Sequence, residues 1–349
     1  MRDYMSYKIQ GVLNQIEDLN RQERIAREAR GAENRSKRDE AERKARTIRE
    51  ALLRNLPPAA VYKFLGVTGS TNAAVNFRTL WQERNLKVDC LQEMAKGWEK
   101  GSDYYRQAFE TPRIDLAVLL VYSFVVQFTF TLAQPYISRD EQDFYIIDNP
   151  VRKDKVFGLP YVASTSWKGS LRAALWHLER GAGNGTVKDD ALTRLFGNEK
   201  GEQKQEKFHA GYLFFFPTFF TEKSLEIINP QDRKLRVGSL PIPFESVPAG
   251  ARGTFTLLYV PFDGIGETTE NTRKQVGEDL VIVMKGLQAM FYTYGFGAKT
   301  HSGFGLVKEM VQRALIEVHA TGVQRISEAS INFEQLIGAV EKLAHEVMG

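Results

Sequence analysis

Apolar and polar positions along the chain change texture twice. Residues 21–50, RQERIAREARGAENRSKRDEAERKARTIRE, are mostly Arg, Glu, Lys and Ala, with thin apolar points such as Ile25 and Ile48. This is helix-forming chemistry without a stripe wide enough to face a core. It fits a solvated helix or partly disordered arm, and equally an arm that docks on RNA or on a neighbouring subunit. Pro57 and Pro58 end it, and a more amphipathic helical stretch follows through 77–81 and 91–109 until Pro112 breaks it. From Ile114 onward the pattern predicts alternating strands and helices. Residues 116–132, rich in Val, Phe, Tyr and Thr, read as one long buried strand. An irregular loop passes Pro150 and Pro160, and a helix over about 166–181 lines up Leu171, Ala174, Leu175 and Leu178.

The remaining elements follow the same logic. AGYLFFFPTFF (210–220) reads as a strand, with Pro217 marking an edge or an end. GTFTLLYVPF (253–262) is another strand, followed by a long amphipathic helix over about 272–294. A glycine loop spans 295–305, a closing strand 306–318 and a last helix about 333–348. Strand, helix, strand, strand, helix, strand is the split βαβ layout shared by ferredoxin-like folds and RNA-recognition modules. The expected class is therefore α+β: a ferredoxin-like, RRM-like core (113–320) behind a polar helical extension (1–112), with a C-terminal helix (321–349) packing on the core.

Composition narrows the function classes. With 43% apolar and 26% charged residues in 349, the chain is globular and long enough for two domains. A net charge of +4 and a pI near 8.9 mean that a polyanion would have to be held by local cationic patches. The single cysteine, Cys90, excludes an internal disulfide and a Cys-based zinc site, which fits a reducing cytoplasm. No apolar signal core occupies the first thirty residues, and Gln127 and Gln134 interrupt the one run long enough to span a bilayer, so no membrane association is expected. His177, His209, His301, His319 and His345 are scattered, which argues against a preformed metal cage. Aromatics at 214–216, 219 and 220 are numerous enough for base stacking, but core packing is the better expectation.

Two loops carry candidate chemistry. STSWKGSLR (164–172) opens a helix: Ser164, Thr165 and Ser166 offer N-cap oxygens and backbone N–H groups, and Lys168 and Arg172 share one face four residues apart. A phosphate backbone suits such a face; an ordinary capped helix with solvated cations fits it too. GFGAKTHSGFG (295–305) holds Gly295, Gly297, Gly303 and Gly305 around Lys299, Thr300, His301 and Ser302. Glycine lets a backbone adopt positive φ and approach a ligand, although a tight helix-to-strand connection needs the same freedom. It is neither a Walker A loop nor a dinucleotide fingerprint, because the spacing is wrong and it follows a helix.

Together and in this order, IDNPV (147–151), GLPY (158–161), STSWKGSLR and the C-terminal Gly-Phe-Gly loop resemble the RAMP proteins of type III CRISPR effector complexes, over about residues 118–318. The resemblance implies a subunit that binds CRISPR RNA along a filament and cleaves complementary target RNA, with other RAMP, large and small subunits as partners. It assigns cleavage to Asp148, with a divalent ion such as Mg2+ at the cleavage site and no organic cofactor. An Asx-turn residue would serve the fold equally well there. Arg152, Lys153, Ser164, Thr165, Ser166, Lys168, Arg172, Lys299, Thr300, His301 and Ser302 would hold the guide. A Pro-rich insertion at 228–253, with Arg233, Lys234 and Arg236, matches the place of a β-hairpin thumb, as does 197–211; a surface loop is the alternative. The glycine loop is closer to that of the subunit capping the filament, which binds guide RNA without being known to cut. The family's usual Pro-Gly-Ser-Ser before the Lys is Ala-Ser-Thr-Ser here (163–166).

Overall fold

The computed structural model describes residues 14–29 (except 16 and 27), 35–54, 111–140, 149–181 (except 156), 189–198, 209–228, 242–262 and 269–348 (except 321). The chain divides into two compact units. One holds 1–94, 141–150 and 230–243, and the other 95–140, 151–229 and 244–349. In the first unit, helix α1 (Arg35–Arg54) carries the i,i+4 ion pairs Arg38–Glu42 at 3.3 Å and Lys44–Glu40 at 2.7 Å. Ala41 and Ala45 are buried, so α1 hides a narrow seam of small residues where the sequence pattern showed no apolar stripe. The amphipathic stretch expected over 77–109 lies outside the described residues.

The second unit is built on β1 (Phe124–Thr131), β2 (Tyr161–Val162), α2 (Ser164–Gly181), α3 (Asp189–Phe196), β3 (Leu213–Phe215), β4 (Thr218–Phe219), β5 (Ser224–Ile228), β6 (Ile242–Ser246) and β7 (Arg252–Tyr259). Helix α4 (Thr269–Ala289), β8 (Met310–His319), β9 (Val323–Asn332) and α5 (Phe333–Met348) complete it. The main sheet runs β3-β7-β1-β8-β9, and every pairing is antiparallel. Its first four strands with α2 and α4 make β1-α2-β3-β7-α4-β8, with β1 and β7 central: the split βαβ arrangement expected of the α+β, ferredoxin-like class.

Strand β1 shows why one face is buried. FVVQFTFT alternates, so Phe124, Val126, Phe128 and Phe130 have no exposed surface while Gln127, Thr129 and Thr131 stay partly accessible on the opposite side. The buried face meets Leu171 and Leu175 of α2 and Val283, Met284 and Leu287 of α4. Gly286 of α4 permits their close approach, since a Cβ there would lie 2.6 Å from Leu175 Cδ2. Helix α5 packs on α4, with Lys285 and Glu341 paired at 3.1 Å.

Several boundaries differ from the sequence reading for identifiable reasons. The apolar run 116–132 is not all strand: Leu116–Val118 form a 3-10 turn capped by Asp115, and Tyr122 takes φ 69° before β1 begins. The expected 210–220 strand splits at Pro217 into β3, paired with β7, and β4, which leaves the main sheet to pair with β2. The long second helix ends at Ala289 and continues as a π-helical turn, Met290–Tyr294. Residues 321–349 hold β9 as well as a helix. β9 pairs with β8 through ten-residue partners (Met310↔Asn332 to His319↔Val323), a hairpin the polar sequence VQRISEASIN did not announce.

Candidate nucleic-acid interface

The helix N-terminus expected to receive an anion begins two residues earlier than the pattern suggested. The Ser166 and Trp167 N–H groups both donate to Ala163 O (2.9 and 3.1 Å), so Ala163 takes the capping position. Ser164, Thr165 and Ser166 are first-turn residues rather than caps. The N–H groups of Ser164 and Thr165 remain as the donors of the helix's open end. Lys168 and Arg172 lie on the same helix, half-buried, beside the fully buried Trp167 and Leu171.

In the glycine loop all four glycines have positive φ, from 73° at Gly295 to 92° at Gly297. The freedom serves self-closure. Phe296 N–H donates to Gly305 O (3.2 Å), Gly295 N–H to Met290 O (2.8 Å), and a Cβ on Gly305 would overlap Phe296 O. What the loop presents outward is its tip: Lys299 in the left-handed region (φ 57°), then a 3-10 turn, Thr300–Ser302, with His301 and Ser302 exposed. Lys299 Nζ also sits 5.0 Å from the ring centroid of Phe244, a cation-π contact.

A buried aromatic cluster joins the two loops. The Trp167 and Phe296 ring centroids are 4.5 Å apart; Phe296 also meets Tyr136 (5.5 Å), Phe130 (5.7 Å) and Phe291 (5.6 Å). Lys168 follows Trp167 and Lys299 lies three residues after Phe296, so this packing joins the start of α2 to the glycine loop. Trp167 also donates through Nε1 to Thr218 Oγ1 at 3.2 Å, which fixes the indole's orientation.

The hub is the segment 135–138. Gly305 N–H donates to Pro135 O (2.9 Å), Ala298 N–H to Ile137 O (2.7 Å), and Arg152 N–H to Ser138 Oγ (2.8 Å). Tyr136 is buried, with its hydroxyl donating to Tyr161 O at 3.4 Å. Burial pushes its phenol up to about 12, with the hydrogen bond from Ser138 and the charge of Arg152 opposing, so it stays a neutral donor. Arg152 therefore lands beside the glycine loop. Its guanidinium donates from Nε to Tyr161 Oη (3.1 Å) and lies 5.6 Å from that ring's centroid, while Tyr161 packs on Phe219 at 5.6 Å.

Lys153 is a correction. Expected at the RNA surface, its ammonium is instead buried and ion-paired with the buried Glu245, which also accepts from Val151 N–H at 3.2 Å. Burial lowers its pKa, and the Glu245 charge and hydrogen bond oppose this. The pair braces the loop and offers nothing to a phosphate. Glu245 lies 92 positions away in sequence, so no local pattern could have paired it with Lys153. The aromatic expectation also needs amending: Phe220 is core, but Phe214 is 41% exposed and meets Phe262 edge-on at 5.8 Å.

Asp148, Arg233, Lys234 and Arg236 lie outside the described residues, as does 199–208 of the alternative thumb. The ends of the Pro-rich insertion are described, and β5 and β6 pair there as a two-stranded ribbon. Among the described residues no group of three His, Cys, Asp or Glu could hold a metal ion. No helix among them is long and apolar enough to cross a membrane.

A split βαβ core bearing a cationic double loop defines a class that comparison with known proteins makes specific. The model of the RAMP superfamily matches residues 123–308, more than half of the chain, and the chain belongs to that superfamily. A curated relative, CRISPR system Cms endoribonuclease Csm3 of Streptococcus thermophilus, is 29% identical over 167 residues, 46% of this chain and 74% of that protein. Among solved structures, a type III-B Cmr-beta complex bound to cognate target RNA overlaps at TM-score 0.40 with 14% identity, covering 71% of this chain and 76% of the other. A Csm3–Csm4 subcomplex of the type III-A CRISPR-Cas interference complex overlaps at TM-score 0.37 with 14% identity, covering 64% and 98%. Likeness this loose bears on neither site nor mechanism.

Proposed function

We propose that the chain is a guide-RNA-binding subunit of a type III CRISPR effector complex, acting in the cytoplasm with CRISPR RNA, target RNA and other RAMP, large and small subunits. The observation that carries this reading is the packing of Trp167 on Phe296, which joins the start of α2 to the glycine loop. Ser164, Thr165, Ser166, Lys168 and Arg172 from one side, and Lys299, Thr300, His301 and Ser302 from the other, line a cradle for a sugar-phosphate backbone. Arg152, held on Tyr161, extends it. The Csm3 relative and the membership in the RAMP superfamily support the assignment.

Within this reading Asp148, four residues before Arg152, cleaves the opposed target strand. Its carboxylate orients the 2′-hydroxyl of the target nucleotide and accepts its proton as that oxygen attacks the adjacent phosphorus; the P–O5′ bond breaks, leaving a 2′,3′-cyclic phosphate and a 5′-hydroxyl protonated from water. A divalent ion, Mg2+ or another, would stabilise charge at that phosphorus. The test is Asp148→Asn in the assembled, guide-loaded complex: target cutting should fall by at least a hundredfold while guide RNA still co-purifies. Loss of both together would mean that Asp148 holds the fold rather than cuts. The glycine-loop likeness to filament caps supports a second reading, a capping subunit that binds guide without cutting; unchanged cleavage by the complex after Asp148→Asn would favour it.

A further inference from the structure

The sheet face turned away from the helices carries a second cationic feature that this cradle does not use. Threonines Thr129 and Thr254 face each other there, Oγ1 to Oγ1 at 3.3 Å, with Gln312 paired beside Thr129. On either flank of β1 stand Arg252 of β7, opposite Thr131, and Arg313 of β8, opposite Phe128, both exposed; each is one strand spacing or about 5 Å from β1, and they are offset by three residues along it. The cleft they line has a volume of about 500 Å³, and Phe219 and Glu222 also line it. Among the described residues neither guanidinium has an acidic partner.

Arg313 is there by virtue of an irregularity. Between Gln127↔Leu315 and Thr129↔Gln312 the β1–β8 register slips, so that Arg313 and Ala314 oppose Phe128 alone. Strict alternation would turn either Arg313 or its neighbours the wrong way. The bulge, with Arg313 at φ 51°, lets Gln312 and Arg313 both reach the open side while Val311 and Ala314 stay in the core. A left-handed φ costs a non-glycine residue about 1–2 kcal/mol. The strain falls on a residue whose side chain has no structural partner and lines a cleft.

Resting on the RNA-binding reading, we infer that this cleft receives one nucleotide of single-stranded RNA, its phosphate between Arg252 and Arg313 and its base on the Phe219 side. Two guanidiniums suit a phosphodiester, and the hydroxyls and amide of Thr129, Thr254 and Gln312 suit sugar and phosphate oxygens. Glu222 works against a bare anion but accepts from an exocyclic base amine, so the cleft selects a nucleotide over phosphate alone. An aromatic wall beside cations is the ordinary composition of single-strand sites.

The test is fluorescence anisotropy of a short single-stranded oligoribonucleotide with the full chain, across a salt series. Arg252→Gln/Arg313→Gln should weaken binding about tenfold and reduce the steepness of log affinity against log salt by about 0.7, one phosphate contact. Arg313→Gly should keep or raise the thermal midpoint, because glycine suits the left-handed backbone, yet still weaken RNA binding about threefold. Wild-type affinity in both variants, with Lys168→Ala/Arg172→Ala weakened, overturns the cleft and leaves the cradle standing. A wild-type chain that binds no RNA overturns both.

Discussion

The glycine loop offers a sharp perturbation because two of its glycines share a positive φ but not an environment. Gly303 has φ 85° and nothing within 4 Å of a would-be Cβ; Gly305 has φ 74° and a Cβ there would overlap Phe296 O and meet Phe296 N at 2.9 Å. Gly303→Ala should therefore cost only the left-handed strain, about 1–2 kcal/mol. Gly305→Ala carries the same strain and also forces the two halves of the loop apart. The Phe296–Gly305 hydrogen bond must then lengthen and Phe296, 1% exposed, must loosen from Trp167. Losing a buried Phe from a core costs about 3–5 kcal/mol, so the total should exceed Gly303→Ala by at least about 2 kcal/mol. For a unit of this size each kcal/mol lowers the thermal midpoint by about 2–4 °C. Thermal melts followed by circular dichroism should show Gly303→Ala shifted by a few degrees and Gly305→Ala by roughly 10 °C or more. RNA affinity should fall strongly only in the second. Equal shifts for the two would refute the claim that the glycines serve closure of the loop on Phe296.

Other outcomes follow from the buried charges. Lys153→Met should destabilise by about 3–5 kcal/mol, since it strands Glu245 in the core, and Lys153→Met/Glu245→Leu should recover much of the loss; urea denaturation of both and the wild type measures this. Arg194 grips Asp279 through two hydrogen bonds (2.9 and 2.6 Å), and Tyr259 Oη donates to the same carboxylate at 2.8 Å. Asp279→Ala should then cost about 3–5 kcal/mol and Tyr259→Phe about 1 kcal/mol in the same assay. Tyr161→Phe removes the Arg152 Nε partner but keeps its ring, so RNA affinity should drop no more than about threefold, whereas Arg152→Ala should exceed that in the anisotropy titration.

The fold was legible where periodicity was strong. FVVQFTFT and GTFTLLYV alternate because one face is core, and both became central strands. The α2 stripe of Leu171, Ala174 and Leu175 became buried for the same reason. Illegible features depend on partners distant in sequence. Strand β9 is polar because it is an edge, exposed along most of its length, and its pairing is set by β8 rather than by its own residues. Lys153 looked like one cation among three, and only the fold brings Glu245 to it. Arg252 and Arg313 carried no motif; sheet order and a bulge bring them to one cleft, and neither is written locally. In the glycine loop the sequence left approach to a ligand and a tight connection equally open, and the structure shows the glycines closing the loop on its own backbone.

The most direct measurement of the central claim is the salt dependence of RNA binding by the wild-type chain and by Lys168→Ala/Arg172→Ala/Lys299→Ala. If the helix end and glycine-loop tip form one cradle for a sugar-phosphate backbone, the triple variant should bind at least tenfold more weakly. Its plot of log affinity against log salt should be shallower by about 2, three single-strand contacts at about 0.7 each. Equal slopes and equal affinities for the two proteins, at unchanged thermal midpoint, would contradict the account.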